Sequence, residues 1–421
     1  MLDTRFWLKK AVVLVAILVL PNVFSSRVGA QTETVLHSLK TKEGASPLLG
    51  VIFDSSGNLY GVAGEEGGSG SGSVFELSPS GSSWTEKTLH SFNGGSDGST
   101  PVGTLVFDKS GNLYGTTKLG GSHGVGVVYE LTKSGSTWSE KVLHNFGGGK
   151  DGEYPTGNLV FDSTGNLYGT TEGGGSHGNG EENVGGTAFK VTPKSGTAST
   201  ETVIHSFGGS GDGISPRASL IFDSAGNLYG TTFSGGTQAS GTVFELSPKS
   251  GGSWTESILH NFNPVLNFGS TDGASPAAGL VFDSAGNLYG TTVAGGDGGG
   301  GVAFKLSPSG TTWSETVLFP FFHTFYSPSY PYSGLIFDKA GDLYGATLQG
   351  NQAAFSFQGT VFELTPTSSG YWNSITLYSF DGTHGSAPAI GSLVFDTSGN
   401  LYGATQAGGA NKNGTVFEIT P

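Results

Sequence analysis

No cysteine occurs among the 421 residues, only 12% of them are charged, and 19 Lys plus Arg face 33 Asp plus Glu. The missing thiols exclude disulfides, thiolate metal centres and a lipid-modified cysteine, so stability has to come from packing. Scarce cations exclude nucleic acid and anionic membranes as partners, because a polyanion is bound by clustered Lys and Arg that replace its counterions. No segment carries a helix-length pattern of period 3.6, which excludes helical bundles and coiled coils. What the chain has in excess is glycine, 74 residues, and that points to a β protein rich in turns.

One apolar run stands apart. Arg5, Lys9 and Lys10 precede residues 11–20, and Val28, Gly29 and Ala30 offer small residues for cleavage before Gln31. This is the layout of a secretory signal, and its core is too short to span a bilayer comfortably. The expectation is a signal peptide over residues 1–30, a mature domain over residues 31–421 and no stable membrane span after cleavage. Retention as an N-terminal anchor stays open. Removal of residues 1–30 deletes four cations and one anion, moving the formal charge from −14 to −17 and leaving Arg217 as the last arginine. A site built on three arginines, as in sialidases, is thereby excluded.

The mature part is a repeat. The phrase Phe-Asp-x-x-Gly-(Asn/Asp)-Leu-Tyr-Gly begins at Phe53, Phe107, Phe161, Phe222, Phe282, Phe337 and Phe395. After each comes a Gly-rich stretch and then a run like Val-Phe-Glu-Leu, as at residues 74–77. After all but the last comes a Trp-Thr-Glu-x-x-Leu-His-x-Phe-like run, as at residues 84–92 and 254–262. Four short β-type runs per unit, repeated at this period, predict an all-β, seven-bladed β-propeller of four-stranded antiparallel blades. The seventh unit stops after its third run, whereas residues 33–39 supply an orphan fourth run before the first phrase. The N-terminal strand is therefore expected to complete the last blade and close the ring; an open solenoid would not need that complement.

These residues, in the order Leu-Val-Phe-Asp-x-x-Gly-Asn-Leu-Tyr-Gly-Thr-Thr, then Gly-Gly and Gly-Thr-Val-Phe-Glu-Leu, resemble the tandem repeat of the choice-of-anchor GloVer-containing bacterial proteins, the Gloeobacter/Verrucomicrobia type. The resemblance covers residues 33–421 and implies export and repetition, not a set activity. Members are expected to carry a C-terminal sorting anchor, and none follows the repeats here. A secreted or periplasmic location is the expectation.

The repeated Asp (54, 108, 162, 223, 283, 338 and 396) is read as a hairpin lock, since each loop has too few carboxylates for Ca²⁺. His37, His90, His144, His205 and His260 share one place in the fourth strand with Phe319 and Tyr378, which argues for a flat packing ring there. Function is sought where the copies differ, on the face that carries the second-to-third and blade-to-blade loops. Three constellations stand out. Glu43, Asp97, Asp151, Asp212 and Asp272 each precede Gly and, four residues on, Pro; they form an incomplete acidic ring able to attract cations or basic ligands, or ordinary turns. Phe319, Phe321, Phe322, Phe325, Tyr326, Tyr330 and Tyr332, with Phe355 and Phe357, are an aromatic set able to stack on sugars or to build a satellite core. His123 and His177 sit in twin Gly-Gly-Ser-His-Gly loops with Glu181 and Glu182 nearby, a metal or acid–base set at most. The expected function is an exported noncatalytic binding module for a glycan or an extracellular protein, with no cofactor and no nucleic acid. A secreted propeller enzyme, a metal-assisted polysaccharide lyase or hydrolase, and a structural envelope component stay open.

Overall fold

The computed structural model describes residues 31–42, 44–47, 49–64, 70–147, 149–179, 184–194, 198–263, 272–323, 327–350, 358–368, 370, 372–388 and 391–420. Among them there is no helix; the strands build seven small antiparallel sheets in a ring, a seven-bladed β-propeller. In blade 1 the strands Ile52–Phe53, Leu59–Ala63, Ser73–Ser80 and Ser83–Ser91 pair in that order from the axis outward. Blades 2 to 6 follow over residues 99–145, 152–206, 213–261, 273–322 and 336–379. In blades 3 and 7 the innermost strand is split around its Pro and small residues, so two short pieces pair with the second strand.

Blade 7 is completed as the repeat count requires. Its outermost strand is Thr32–Ser38, which pairs with the C-terminal strand Thr415–Thr420 from Thr32↔Thr420 to Ser38↔Thr415. The same junction buries Leu39 and Val416 against Val51 and Leu59 of blade 1, and the rings of Tyr402 and Phe53 meet edge to face at 4.9 Å. The ring thus closes through paired backbone and a shared core.

Each residue of the repeated phrase has a mechanical reason. Asp54 accepts from the backbone N–H groups of Ser56 (2.8 Å) and Asn58 (2.9 Å) through Oδ1, and from the Asn58 amide (2.8 Å) and the Tyr60 hydroxyl (3.2 Å) through Oδ2. Gly57 sits in this turn at φ +83°, which L side chains rarely adopt. The hairpin-lock reading of the Asp therefore holds; at Asp162 burial works to raise the carboxyl, yet bonds from Asn166 and Thr164 lower it to about 2. Tyr follows because its ring reaches the next blade: Tyr60 packs on Phe107, Tyr114 on Phe161 and Tyr344 on Phe395, all edge to face at 5.1–5.2 Å. Gly follows Tyr because the third-strand aromatic lies over it. A Cβ on Gly61 would stand 2.6 Å from Cζ of Phe75, its cross-strand partner.

Blades are also pinned at the upper end of their inner strands. The residue before Pro holds a left-handed backbone in every blade, among them Ser215 (φ 56°), Ser275 (φ 56°) and Tyr330 (φ 58°). Such a conformation costs on the order of 1 kcal/mol or more outside glycine. In return its N–H crosses to the preceding blade, as Ser275 N–H to Ser240 O at 2.8 Å. The following Pro ring then lies on a Gly of that blade: a Cβ on Gly241 would meet Cδ of Pro276 at 2.7 Å and collide with the Thr232 carbonyl. Small residues at the axis answer to crowding too, since a Cβ on Gly157 would come within 2.6 Å of the Ala218 carbonyl oxygen.

Candidate binding site at the axial mouth

Uniform repeats make the exceptions easy to place. Two positions per blade vary from copy to copy: the residue after the locked Pro, and the residue after Tyr-Gly-Thr-Thr (Tyr-Gly-Ala-Thr in blade 6) on the second strand. Across blades 2 to 6 the first reads Val102, Thr156, Arg217, Ala277 and Tyr332, and the second Lys118, Glu172, Phe233, Val293 and Leu348. No two copies agree. The inner strands leave a cavity of about 590 Å³ along the axis, lined by residues from all seven blades, Lys118, Glu172, Arg217 and Tyr332 among them.

Its charged side is tightly organised. Glu172, only 4% exposed, accepts from Arg217 Nη2 at 2.6 Å and from Lys118 Nζ at 3.2 Å, so three neighbouring blades contribute one ion network. The Arg217 guanidinium carbon stands 4.0 Å from the Phe233 ring centroid, and this stacking fixes the plane of its fork. The network carries one net positive charge in a chain of formal charge −14. Deeper, Asn158 Oδ1 accepts from the Thr104 N–H (2.6 Å) and the Asn158 N–H donates to Ser219 Oγ (3.0 Å), so the channel wall is polar and already hydrogen-bonded. Blades 5 and 6 contribute Ala277 and Tyr332, giving the cavity one charged and one apolar side.

The residues singled out from the sequence are distributed otherwise. Asp97, Asp151, Asp212 and Asp272 lie at blade junctions and do not line the cavity. Each faces Nε2 of the fourth-strand histidine of the preceding blade: His144 and Asp151 are 3.2 Å apart, as are His205 and Asp212. Those histidines also pack edge to face on Phe, as His205 on Phe207 at 4.6 Å. The slot uses the flat ring as expected, but it uses the nitrogen too, which the packing reading alone did not foresee.

The aromatic set divides. Phe319 and the fully buried Phe321 belong to a junction core, with Phe321 5.1 Å from Phe362 of the next blade. Phe322 is exposed. Tyr330 occupies the strained position before Pro331 and meets His323 at 5.1 Å, and Tyr332 lines the cavity. Phe325, Tyr326, Phe355 and Phe357 lie outside the described residues, as do Glu43, Glu181 and Glu182. His123 and His177 are exposed, each beside its own Ser hydroxyl, and they lie over successive junctions. Among the described residues, no group of three His, Asp or Glu within ligating reach contains either of them. Lys118, Glu172 and the axial role of Arg217 escaped the sequence reading; aligning the seven copies on their Pro and Tyr-Gly would have exposed them.

A family model described as the Gloeobacter/Verrucomicrobia repeat matches residues 22–181 and 255–421. No curated protein sequence matches the chain. Similar solved structures include a putative 6-phosphogluconolactonase from Bacteroides uniformis, 14% identical, covering 78% of this chain and 85% of its own, with a TM-score of 0.48. A putative oxidoreductase (glucose dehydrogenase) from Thermus thermophilus is 16% identical, covering 76% and 96%, at 0.45. A hypothetical selenium-binding protein from Sulfolobus tokodaii is 11% identical, covering 77% of each chain, at 0.49. At this distance no activity passes from them to this chain.

Proposed function

The chain belongs to the Gloeobacter/Verrucomicrobia repeat family, and from that premise we propose that it is an exported, noncatalytic binding module that takes a glycan at the axial mouth of its variable face. One observation carries the reading: the residue after the locked Pro lines the axial cavity and differs in each of blades 2 to 6, as Val102, Thr156, Arg217, Ala277 and Tyr332. About 590 Å³ suits a small ligand or the end of an oligosaccharide, whereas a protein partner needs a broad face. Tyr332 offers a ring for a sugar face, and the Lys118–Glu172–Arg217 network offers fixed donors with one surplus positive charge, which favours a sugar bearing a carboxylate. Catalysis is disfavoured because Glu172 is held by two cations and no described cavity-lining residue is a histidine free to move a proton. Export rests on the layout of residues 1–30, and the location proposed is secreted or periplasmic. Phe325, Tyr326, Phe355 and Phe357, which lie outside the described residues, remain the sequence's candidates for contact with another extracellular protein.

Titration calorimetry with matched neutral and uronate-containing oligosaccharides tests this. Uronate-containing ligands are expected to bind, with affinity falling about tenfold or more in Arg217→Ala and in Tyr332→Ala, the loss of roughly one strong contact each. Unchanged binding in both variants defeats the axial assignment. Loss in Tyr326→Ala/Tyr330→Ala/Phe357→Ala instead would move the site to the rim.

A further inference from the structure

The junctions between blades hold a second recurring chemistry. At four successive junctions a fourth-strand His, a loop Asp and the fourth-strand Glu of the next blade occupy equivalent positions: His90, Asp97 and Glu140; His144, Asp151 and Glu201; His205, Asp212 and Glu256; His260, Asp272 and Glu315. We propose that the second and third of these, His144–Asp151–Glu201 and His205–Asp212–Glu256, are binding sites for a divalent transition-metal ion that staples adjacent blades.

Geometry comes first. In both groups one ligand atom from each residue lies within 4.8 Å of the other two. His205 Nε2 is 3.2 Å from Asp212 Oδ2 and 3.6 Å from Glu256 Oε2. A tetrahedral ion with bonds of about 2.0–2.2 Å sets its ligand atoms roughly 3.3–3.6 Å apart. Imidazole plus two carboxylates is a donor set for Zn²⁺ or Ni²⁺; Ca²⁺ asks for six to eight oxygens. Such a set carries two negative charges when its His is neutral, and a divalent ion cancels them.

The carboxylates are also short of partners. Oε1 of Glu201 and of Glu256 are buried without a hydrogen bond. At the sister junction Asp97, nine-tenths buried, leaves Oδ1 unpaired, as is Glu140 Oε1.

The copies supply independent support. At the junction of blades 5 and 6 the three positions read Phe319, Ser327 and Ser374: His, Asp and Glu are lost together. At the next junction the three positions read Tyr378, His384 and Glu33, so His and Asp leave together there while the Glu stays. His123 and His177 stand over the two proposed junctions and no others; a Cβ on Gly147 would lie 3.5 Å from Asp151 Oδ2 and 3.8 Å from His123 Cε1, and Gly209 is flanked alike by Asp212 and His177.

The test uses the full mature chain, stripped with EDTA and titrated with ZnCl₂, NiCl₂ and CaCl₂ by calorimetry, with bound metal counted by elemental analysis. At least two equivalents of Zn²⁺ per chain are expected, with little or no Ca²⁺, and Zn²⁺ should raise the melting temperature. His205→Phe/Asp212→Ser/Glu256→Ser copies what the chain itself carries between blades 5 and 6, so it should fold and lose one equivalent. The matching change at His144, Asp151 and Glu201 should remove another. Absence of stoichiometric Zn²⁺, or full stoichiometry in both triple variants, overturns the proposal and leaves the triads as proton-sharing groups.

Discussion

Glu315→Gln in metal-stripped protein should stabilise the propeller at pH 8 and hardly at all at pH 4. Glu315 faces Asp272 from the loop that enters its own blade and His260 from the preceding blade, and its Oε1 is buried without a partner. Burial first, then the Asp272 charge, push its carboxyl up to about 7 against an ordinary 4.5, while His260 works the other way. A carboxyl whose folded pKa lies above its unfolded one adds proton-linked stability in full below about 4.5, and that contribution is lost as pH rises through about 7. That displacement converts to about 3 kcal/mol at most, and partial solvent screening brings it to about 2 kcal/mol. Gln removes the charge but keeps the shape, and its N–H can donate to Asp272. By calorimetry the variant should melt a few degrees higher than the parent at pH 8, since about 2 kcal/mol spread over a large domain moves Tm by roughly 2–4 °C. At pH 4 both chains carry a neutral group there and the gap should close. An equal gap at both pH values would refute the reasoning, because it would mean that the gain comes from packing and not from the proton.

Two other perturbations address the ring itself. Gly241→Ala places a methyl between the Thr232 carbonyl and the Pro276 ring at φ +95°, so a loss of about 2 kcal/mol or more is expected, read as a lower midpoint in urea; an Ala tolerated within about 0.5 kcal/mol would show that the Pro-on-Gly lock bears no load. Because the chain has no cysteine, Thr34→Cys/Glu418→Cys reports closure cleanly: these residues are direct antiparallel partners, and oxidation should join them and speed migration on a non-reducing gel, whereas persistent free thiols would separate the two termini.

Architecture was readable in the sequence because one unit is written seven times with the same turn, the same Tyr and the same Gly. The seventh unit's missing fourth run and its spare copy at residues 33–39 even specified how the circle closes, and Val35↔Phe417 pairing realises it. The junction chemistry was not readable, for a definable reason. Alternation along a regular strand put His beside Phe and so implied a packing ring. The outer pair in fact carries a β-bulge in every blade, as between Val74 and Phe75, where Leu89 is the extra residue. A bulge turns the strand locally, and it lets Leu89 enter the core while His90 faces the loop Asp. Period-two reasoning has no access to that rotation, and the Glu that completes each triad comes from the next blade, some 50 residues on.

The same logic explains why the axial mouth and the junctions call for different kinds of evidence. A contact that holds the ring together has to be made at every junction, so its residues repeat: Asp in the turn, Tyr on Phe, Pro on Gly. A contact with an asymmetric ligand is made once, so its residues cannot repeat. Lys118, Glu172 and Arg217 occur once each, on neighbouring blades, and they spend their charges on one another at the axis, where no sheet needs them. The His–Asp–Glu triads fall between these classes, being kept at four junctions, dropped whole between blades 5 and 6, and reduced to Glu33 beside Tyr378 and His384 between blades 6 and 7. Residues dropped as a unit without loss of the fold serve neither strand pairing nor core packing, because the blade 5 to 6 junction keeps both with Phe319, Phe321 and Phe362 in place. What they have in common is what they can jointly bind.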